Sequence, residues 1–132
     1  MDEILQEKIH TVLLTVAGLS TANLFYLKAD ISEKVFPRVI YSLISDVPDY
    51  DTSQEFGQMV LQISAFGYFK NEYVGGLKAI AAEIKSKMII SNLGGLTGIQ
   101  MSRCKRTNYR ESELEGIFQI DQDFRINISR VA

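Results

Sequence analysis

A chain of 132 residues with 46% hydrophobic and 23% charged residues has the proportions of a folded globular domain, which excludes a disordered, collagen-like or low-complexity polypeptide and makes a metal or disulfide staple unnecessary. The 14 basic and 16 acidic residues leave a formal net charge of -2, so no global field marks the chain as a nucleic-acid or membrane-surface binder, and any basic patch must be local. One cysteine (Cys104), one histidine (His10) and no tryptophan are too few for an internal disulfide or a zinc site built from Cys and His, and they fit reducing surroundings.

The opening Met1-Asp2-Glu3 is acidic where a secretory signal is basic, and the apolar runs stop short of membrane-spanning length, which predicts a protein made in the cytoplasm. Ile4, Leu5, Ile9, Val12, Leu13 and Val16 recur as one stripe of a helical period, with Glu3, Glu7 and Lys8 off it. This spacing predicts a helix over about 2–17, favoured at its start by Asp2 and Glu3 and stopped by Gly18. Leu24 to Leu27 is short and aromatic, as in a brief strand, and a polar stretch follows through Lys34. Pro37 then opens a strand over 37–45 whose Val39 to Ile44 run is apolar on both parities, the pattern of a central strand covered on both faces. From Asp46 to Ser53, Pro, Asp and Ser are dense enough to predict an exposed, mobile loop.

Over 56–69 the alternation returns, with Met59, Leu61, Ile63 and Ala65 on one face and Gln58, Gln62 and Ser64 on the other. A second helix is predicted over about 72–90 from Val74, Leu77, Ile80, Ala81, Ile84 and Met88, with Asn71 as N-cap and a Glu83–Lys87 pair along its surface. Gly75 and Gly76 weaken its first turn by about 1 kcal/mol each relative to Ala. Ser91 to Gly98 reads as a glycine-rich loop, and 99–108 as a poorly patterned strand in which Arg103, Lys105 and Arg106 interrupt both parities. The last strand, 116–130, is the clearest. Phe118, Ile120, Phe124, Ile126 and Ile128 share one parity, broken only by Gln122, while Gln119, Asp121, Asp123, Arg125, Asn127 and Ser129 share the other after Ile117. A slip of one residue would bury charges, so the register is well determined. The order predicts a single α+β domain over 1–132: a mostly antiparallel sheet with two amphipathic helices on one face and a polar face left available for subunit contacts.

Reactive chemistry is sparse. His10 borders the apolar stripe with no Ser, Cys or carboxylate at catalytic spacing, so it reads as a bordering or capping residue. Cys104 lies in Arg103-Cys104-Lys105-Arg106, where cations would lower a thiol pKa; a half-buried strand residue is the simpler reading. The Leu93 to Gly98 loop has glycines but no Lys-Ser or Lys-Thr pair and leads into a strand, so it is a connector, not a phosphate cradle. Asp121 and Asp123 share a strand face without a third ligand, the pattern of solvated or cross-strand paired acids. No catalytic, cofactor or metal site is expected, and the chain reads as a non-enzyme. The basic run Arg103, Lys105, Arg106 and Arg110, with Tyr109, is followed at once by Glu111, Glu113 and Glu115. Such segregation suits a contact between identical subunits, or a solvated arm.

Phe36-Pro37-Arg38-Val39-Ile40-Tyr41-Ser42-Leu43-Ile44-Ser45, Val60 to Phe66 leading into the helix Val74 to Met88, Tyr109, Gly116-Ile117-Phe118 and Asp123-Phe124-Arg125-Ile126 follow one another after the N-terminal helix. In this order and spacing the chain resembles the small tail-completion, or head-to-tail joining, proteins (tail terminator-like) of long-tailed bacteriophages and prophages. Arg38 stands where that family often has an aromatic and Gln119 where a basic residue is common. The resemblance implies a virion subunit that forms a hexameric ring on the tail-tube protein and joins it to the head connector, with DNA only as cargo through the lumen and no membrane partner. A ring of identical chains needs two unlike complementary surfaces. Arg103, Lys105, Arg106, Arg110, Glu111, Glu113 and Glu115 are the candidates for that contact. Asp46, Asp49, Tyr50 and Asp51 in one loop, and Gly95 and Gly98 in another, are candidates for docking neighbouring virion proteins. The competing reading is a bacterial α+β regulatory domain that binds a ligand or protein on its open sheet face.

Overall fold

Each periodic segment of the sequence becomes a regular element of the matching kind. The computed structural model describes residues 3–27, 37–50, 54–68 and 71–131. Its elements run α1 (Glu3–Leu13), β1 (Leu24–Tyr26), β2 (Arg38–Tyr50), β3 (Gln54–Tyr68), α2 (Asn71–Lys87), α3 (Ile90–Leu93), β4 (Ile99–Leu114) and β5 (Ile117–Val131). The strands form one five-stranded sheet in the order β1-β2-β3-β5-β4. Only β1 and β2 run parallel; the other neighbours are antiparallel. The architecture is α+β.

Alternation decides which side of the sheet meets the helices. Val39 and Tyr41 on β2 lie opposite Ala65 and Ile63 on β3, which in turn lie opposite Ile120 and Gln122 on β5. Met59 and Leu61 face Ile126 and Phe124. These apolar residues form one core with Leu5, Ile9 and Leu13 of α1, Leu77, Ala81 and Ile84 of α2, and Leu93 of α3. Burying each large aliphatic or aromatic side chain contributes about 1.5–3 kcal/mol, so this layer dominates the stability. The other parity of β3 and β5 forms the outer face, from Gln58, Gln62 and Ser64 to Asp121, Asp123 and Arg125.

Two small devices fix the path of the chain after α1. The chain leaves α1 through tight turns to Gly18, whose φ is +90°. Buried Asn23 then donates from Nδ2 to the Gly18 and Pro37 carbonyls at 2.8 and 3.1 Å and accepts the Ser20 N–H at 2.7 Å, holding the entry to β1 beside the start of β2. The Glu83 carboxylate accepts the Ala17 N–H at 3.1 Å. Glu83 therefore ties α2 to the end of α1, and it forms no ion pair with Lys87, contrary to expectation.

Other expectations need correction. The segment from Asp46 to Tyr50 is strand, not loop: Asp46, Val47, Pro48, Asp49 and Tyr50 pair with Met59, Gln58, Gly57, Phe56 and Glu55. Turn-forming composition is overridden there by a long antiparallel partner that supplies hydrogen bonds whatever the side chains; residues 51–53 lie outside the described ones. β2 is not covered on both faces. Ile44 shares the outer parity of Ile40 and Ser42 and is 52% exposed at the register shift between Leu43 and Ser45, and the strand in the middle of the sheet is β3. The expected 91–98 loop begins with the short helix α3. β4 continues to Leu114, and its register shifts between Met101 and Arg103 and again between Arg106 and Asn108. Each bulge swaps the face that following side chains occupy, which is why no single alternation runs through this strand.

Candidate assembly surface

β4 and β5 form a long hairpin closed by a two-residue turn, Glu115 and Gly116, between the paired Leu114 and Ile117. Both turn residues have positive φ, +53° and +80°, the signature of a turn whose twist matches that of the flanking strands. Glu113 Oε1 accepts the Gly116 N–H at 2.9 Å and braces the turn.

The bulges sort the basic and acidic run between two faces. On the helix side, Arg106 lies opposite Phe124, Tyr109 opposite Gln122 and Glu111 opposite Ile120. These side chains are engaged within the chain. Arg106 donates from Nη1 to Gln122 Oε1 at 3.0 Å and stacks its guanidinium 4.9 Å from the centre of the Tyr109 ring. The Tyr109 hydroxyl donates to Glu111 Oε1 at 2.6 Å, and Lys78 of α2 approaches the same carboxylate at 3.7 Å. Burial, followed by the neighbouring Glu111 carboxylate, pushes the Tyr109 phenol up to about 12 against the opposing influence of Arg106. Gln122, the one break in the apolar parity of β5, is 1% exposed and donates from Nε2 to the Ala81 carbonyl at 3.2 Å. It is a satisfied polar link between α2, β5 and β4.

On the outer face, Arg103 lies opposite Asn127, Lys105 opposite Arg125, Asn108 opposite Asp123 and Arg110 opposite Asp121. Arg110 forms an ion pair with Asp123 at 3.4 Å, so of the two arrangements expected for these acids, solvated or cross-strand paired, Asp123 has the second. Asp121 Oδ1 instead accepts from Ser64 Oγ at 2.6 Å and Gln119 Nε2 at 2.7 Å. Asp123 is 8% exposed, yet among the described residues its Oδ1 has no hydrogen-bond partner, nor do the buried Arg125 Nε and Asn127 Oδ1. These three atoms follow one another along the same row of β5. Neither Arg103 nor Lys105 forms an ion pair among the described residues, and the same holds for Glu115.

The structure thus divides the expected contact residues. Arg106, Arg110 and Glu111 have partners inside the chain, and Glu113 braces the turn. Arg103, Lys105 and Glu115 are exposed without ion pairs. Sequence reasoning missed Arg125, whose place beside Lys105 is visible only once the two strands are in register. Of the expected docking positions, Asp46, Asp49 and Tyr50 lie in β2 and Asp51 lies outside the described residues. Gly95 and Gly98 are exposed in the connection between α3 and β4.

The two reactive side chains have structural surroundings. His10 Nδ1 lies 2.7 Å from the Tyr41 hydroxyl, which also accepts Gln6 Nε2–H at 2.9 Å. The tautomer of His10 sets which of the two groups donates in this hydrogen bond. Burial raises the Tyr41 pKa, opposed by the Gln6 hydrogen bond and reinforced by Tyr26. The cluster links α1 to β2 beside a cleft of about 370 Å³ lined by Gln6, Glu7, His10, Thr11 and Tyr26. The half-buried Cys104 thiol donates to the Met88 carbonyl at 3.2 Å, and burial pushes it up to about 11. Arg103 and Lys105 belong to the opposite face of the sheet and do not activate it. Among the described residues no three His, Cys, Asp or Glu side chains gather as a metal site, and no helix is long and apolar enough to cross a membrane.

No protein-family model matches the chain, and no curated protein matches it. Solved structures do share its fold. A chain from the virion of a native gene transfer agent particle superposes with a TM-score of 0.66 at 18% identity, covering 95% of this chain and 91% of that one. A second solved chain, whose name states no function, gives a TM-score of 0.60 at 11% identity and covers 93% of this chain and 94% of that one.

Proposed function

We propose that this chain is a structural subunit of a phage-type virion that completes the tail and joins it to the head connector. It does so as a ring at the head-proximal end of the tail tube, with DNA passing through the lumen. The observation that carries this reading is the fold shared with a gene transfer agent virion chain over nearly the full length of both. An end-to-end match means that the whole chain, and not an embedded motif, has the shape of a particle component. The order of motifs from Phe36 to Ile126 supports the tail-completion role within that class. The chemistry agrees with assembly: the charged hairpin side chains stabilise the fold or face solvent, and Cys104 and His10 are engaged in packing contacts.

Hexameric closure, the tail-tube protein and the head connector as partners, and residence at the head–tail interface belong to the same reading. The test is inactivation of the gene in the parent phage or prophage, with lysates viewed by electron microscopy. DNA-filled heads separated from free tails, some of abnormal length, are the expected outcome. Normal joined particles overturn the reading.

A further inference from the structure

The outer face of the hairpin carries an electrostatic arrangement that one copy of the chain leaves incomplete. Lys105 sits directly across from Arg125, and Arg103 lies next along the same edge. Like charges facing each other across strands destabilise a sheet. No carboxylate among the described residues pairs with any of the three, and Arg125 Nε and Asn127 Oδ1 are buried without partners in the same patch.

The tip of the hairpin is the complement. Glu113 and Glu115 are exposed there and rim a cleft of about 420 Å³ that also contains Ser112, Ile117, Gln119 and Phe66, the last with the Arg38 guanidinium stacked 5.3 Å from its ring centre. Lys105 and Glu115 are ten positions apart in the sequence, roughly 30 Å at the rise of an extended strand. That exceeds the screening length of about 8 Å at physiological salt, so the two patches cannot neutralise each other within one chain.

We propose that the acidic hairpin tip of one copy docks on the Arg103, Lys105 and Arg125 patch of a second copy, whose long cationic side chains reach the exposed Glu113 and Glu115 at the rim of the cleft. The occupant is a second copy because the same chain presents both halves of the charge match on one rigid element, the acidic half at its tip and the basic half partway along it. The contact joins unlike surfaces, so it repeats head to tail and either closes into a ring or extends. Closure rests on the ring reading above; the contact itself does not.

Sedimentation velocity of the purified chain at low and high salt tests this directly. Concentration-dependent association that weakens with salt is expected. Glu113→Lys with Glu115→Lys, and separately Arg103→Glu with Lys105→Glu, should each weaken it by about tenfold or more. An equimolar mixture of the two double variants pairs basic tips with acidic patches and acidic tips with basic patches, and should recover association. The chain carrying all four changes should associate by itself. Glu115→Lys alone retains the Glu113 brace on the turn and serves as a second variant if the double one fails to fold. A wild-type chain that remains monomeric throughout, reversed variants that associate like wild type, or a mixture that stays monomeric would each overturn the contact. Any of these leaves the virion reading to the gene inactivation, whose failure in turn leaves the sedimentation result standing.

Discussion

The two faces of the β4–β5 hairpin use the same residue types to opposite ends. Toward the helices, Arg106 and Glu111 are held by Gln122, Tyr109 and Lys78, and each cation there has an acceptor, a ring or a carboxylate near it. On the outer side, Lys105 faces Arg125 with no ion pair for either. Charge count cannot separate these situations, since Arg103, Lys105 and Arg106 fall within four consecutive residues. The difference teaches that the number of exposed charges on an arm says less than which of them the chain has already partnered.

The comparison is broken most severely from the helix side. Phe124 is 0% exposed opposite Leu61, and Phe124→Ala should cost about 3–5 kcal/mol of unfolding free energy, measured by chemical denaturation. A loss below about 1 kcal/mol would mean that the sheet is not held by this layer.

Cys104 gives an intermediate effect with a defined sign. Its thiol is raised to about 11 from an ordinary value of 9.0, so the unfolded chain loses that proton first. The associated stability is complete below pH 9 and is lost as pH rises toward about 11. Denaturation midpoints should fall across this window, and Cys104→Ala should flatten that part of the fall. At pH 8 only roughly one thiol in a thousand is ionised when the pKa is about 11. Iodoacetamide should therefore label the folded chain far more slowly than the chain in denaturant, and equal rates would contradict the buried setting.

The smallest effect belongs to the outer face. Lys105→Gln removes one of two facing cations and should leave folding stability within about 0.5 kcal/mol of wild type, with any change being a gain at low salt. A clear loss would mean that Lys105 has a stabilising partner within the chain. Together with the Phe124 variant, this separates a face that holds the fold from one that meets a neighbour.

The alternation of Phe118, Ile120, Phe124, Ile126 and Ile128, and the helical spacing from Leu77 to Met88, were enough to place β5, α2 and their buried sides. A long regular period leaves one way to bury its apolar atoms. β4 was legible only as a poorly patterned strand over 99–108, without its buried side or its extent to Leu114, because two bulges change its parity twice and a period cannot be counted across them. The strand from Asp46 to Tyr50 was hidden by residues that form turns when alone and pair when a partner strand runs beside them.

The candidate surface was half legible. The basic and acidic blocks were visible as composition, and Asp121 and Asp123 as acids either solvated or paired across strands, with that choice left open. Local sequence determined the elements of regular period, their buried faces and the thinness of the reactive inventory, since those depend on the pattern of near neighbours. Only the tertiary structure decided that Arg110 meets Asp123, that Gln122 reaches Ala81 and Arg106, and that Lys105 stands against Arg125. These contacts join residues from different strands and helices, and their identity depends on register and bulge positions that no single segment carries by itself.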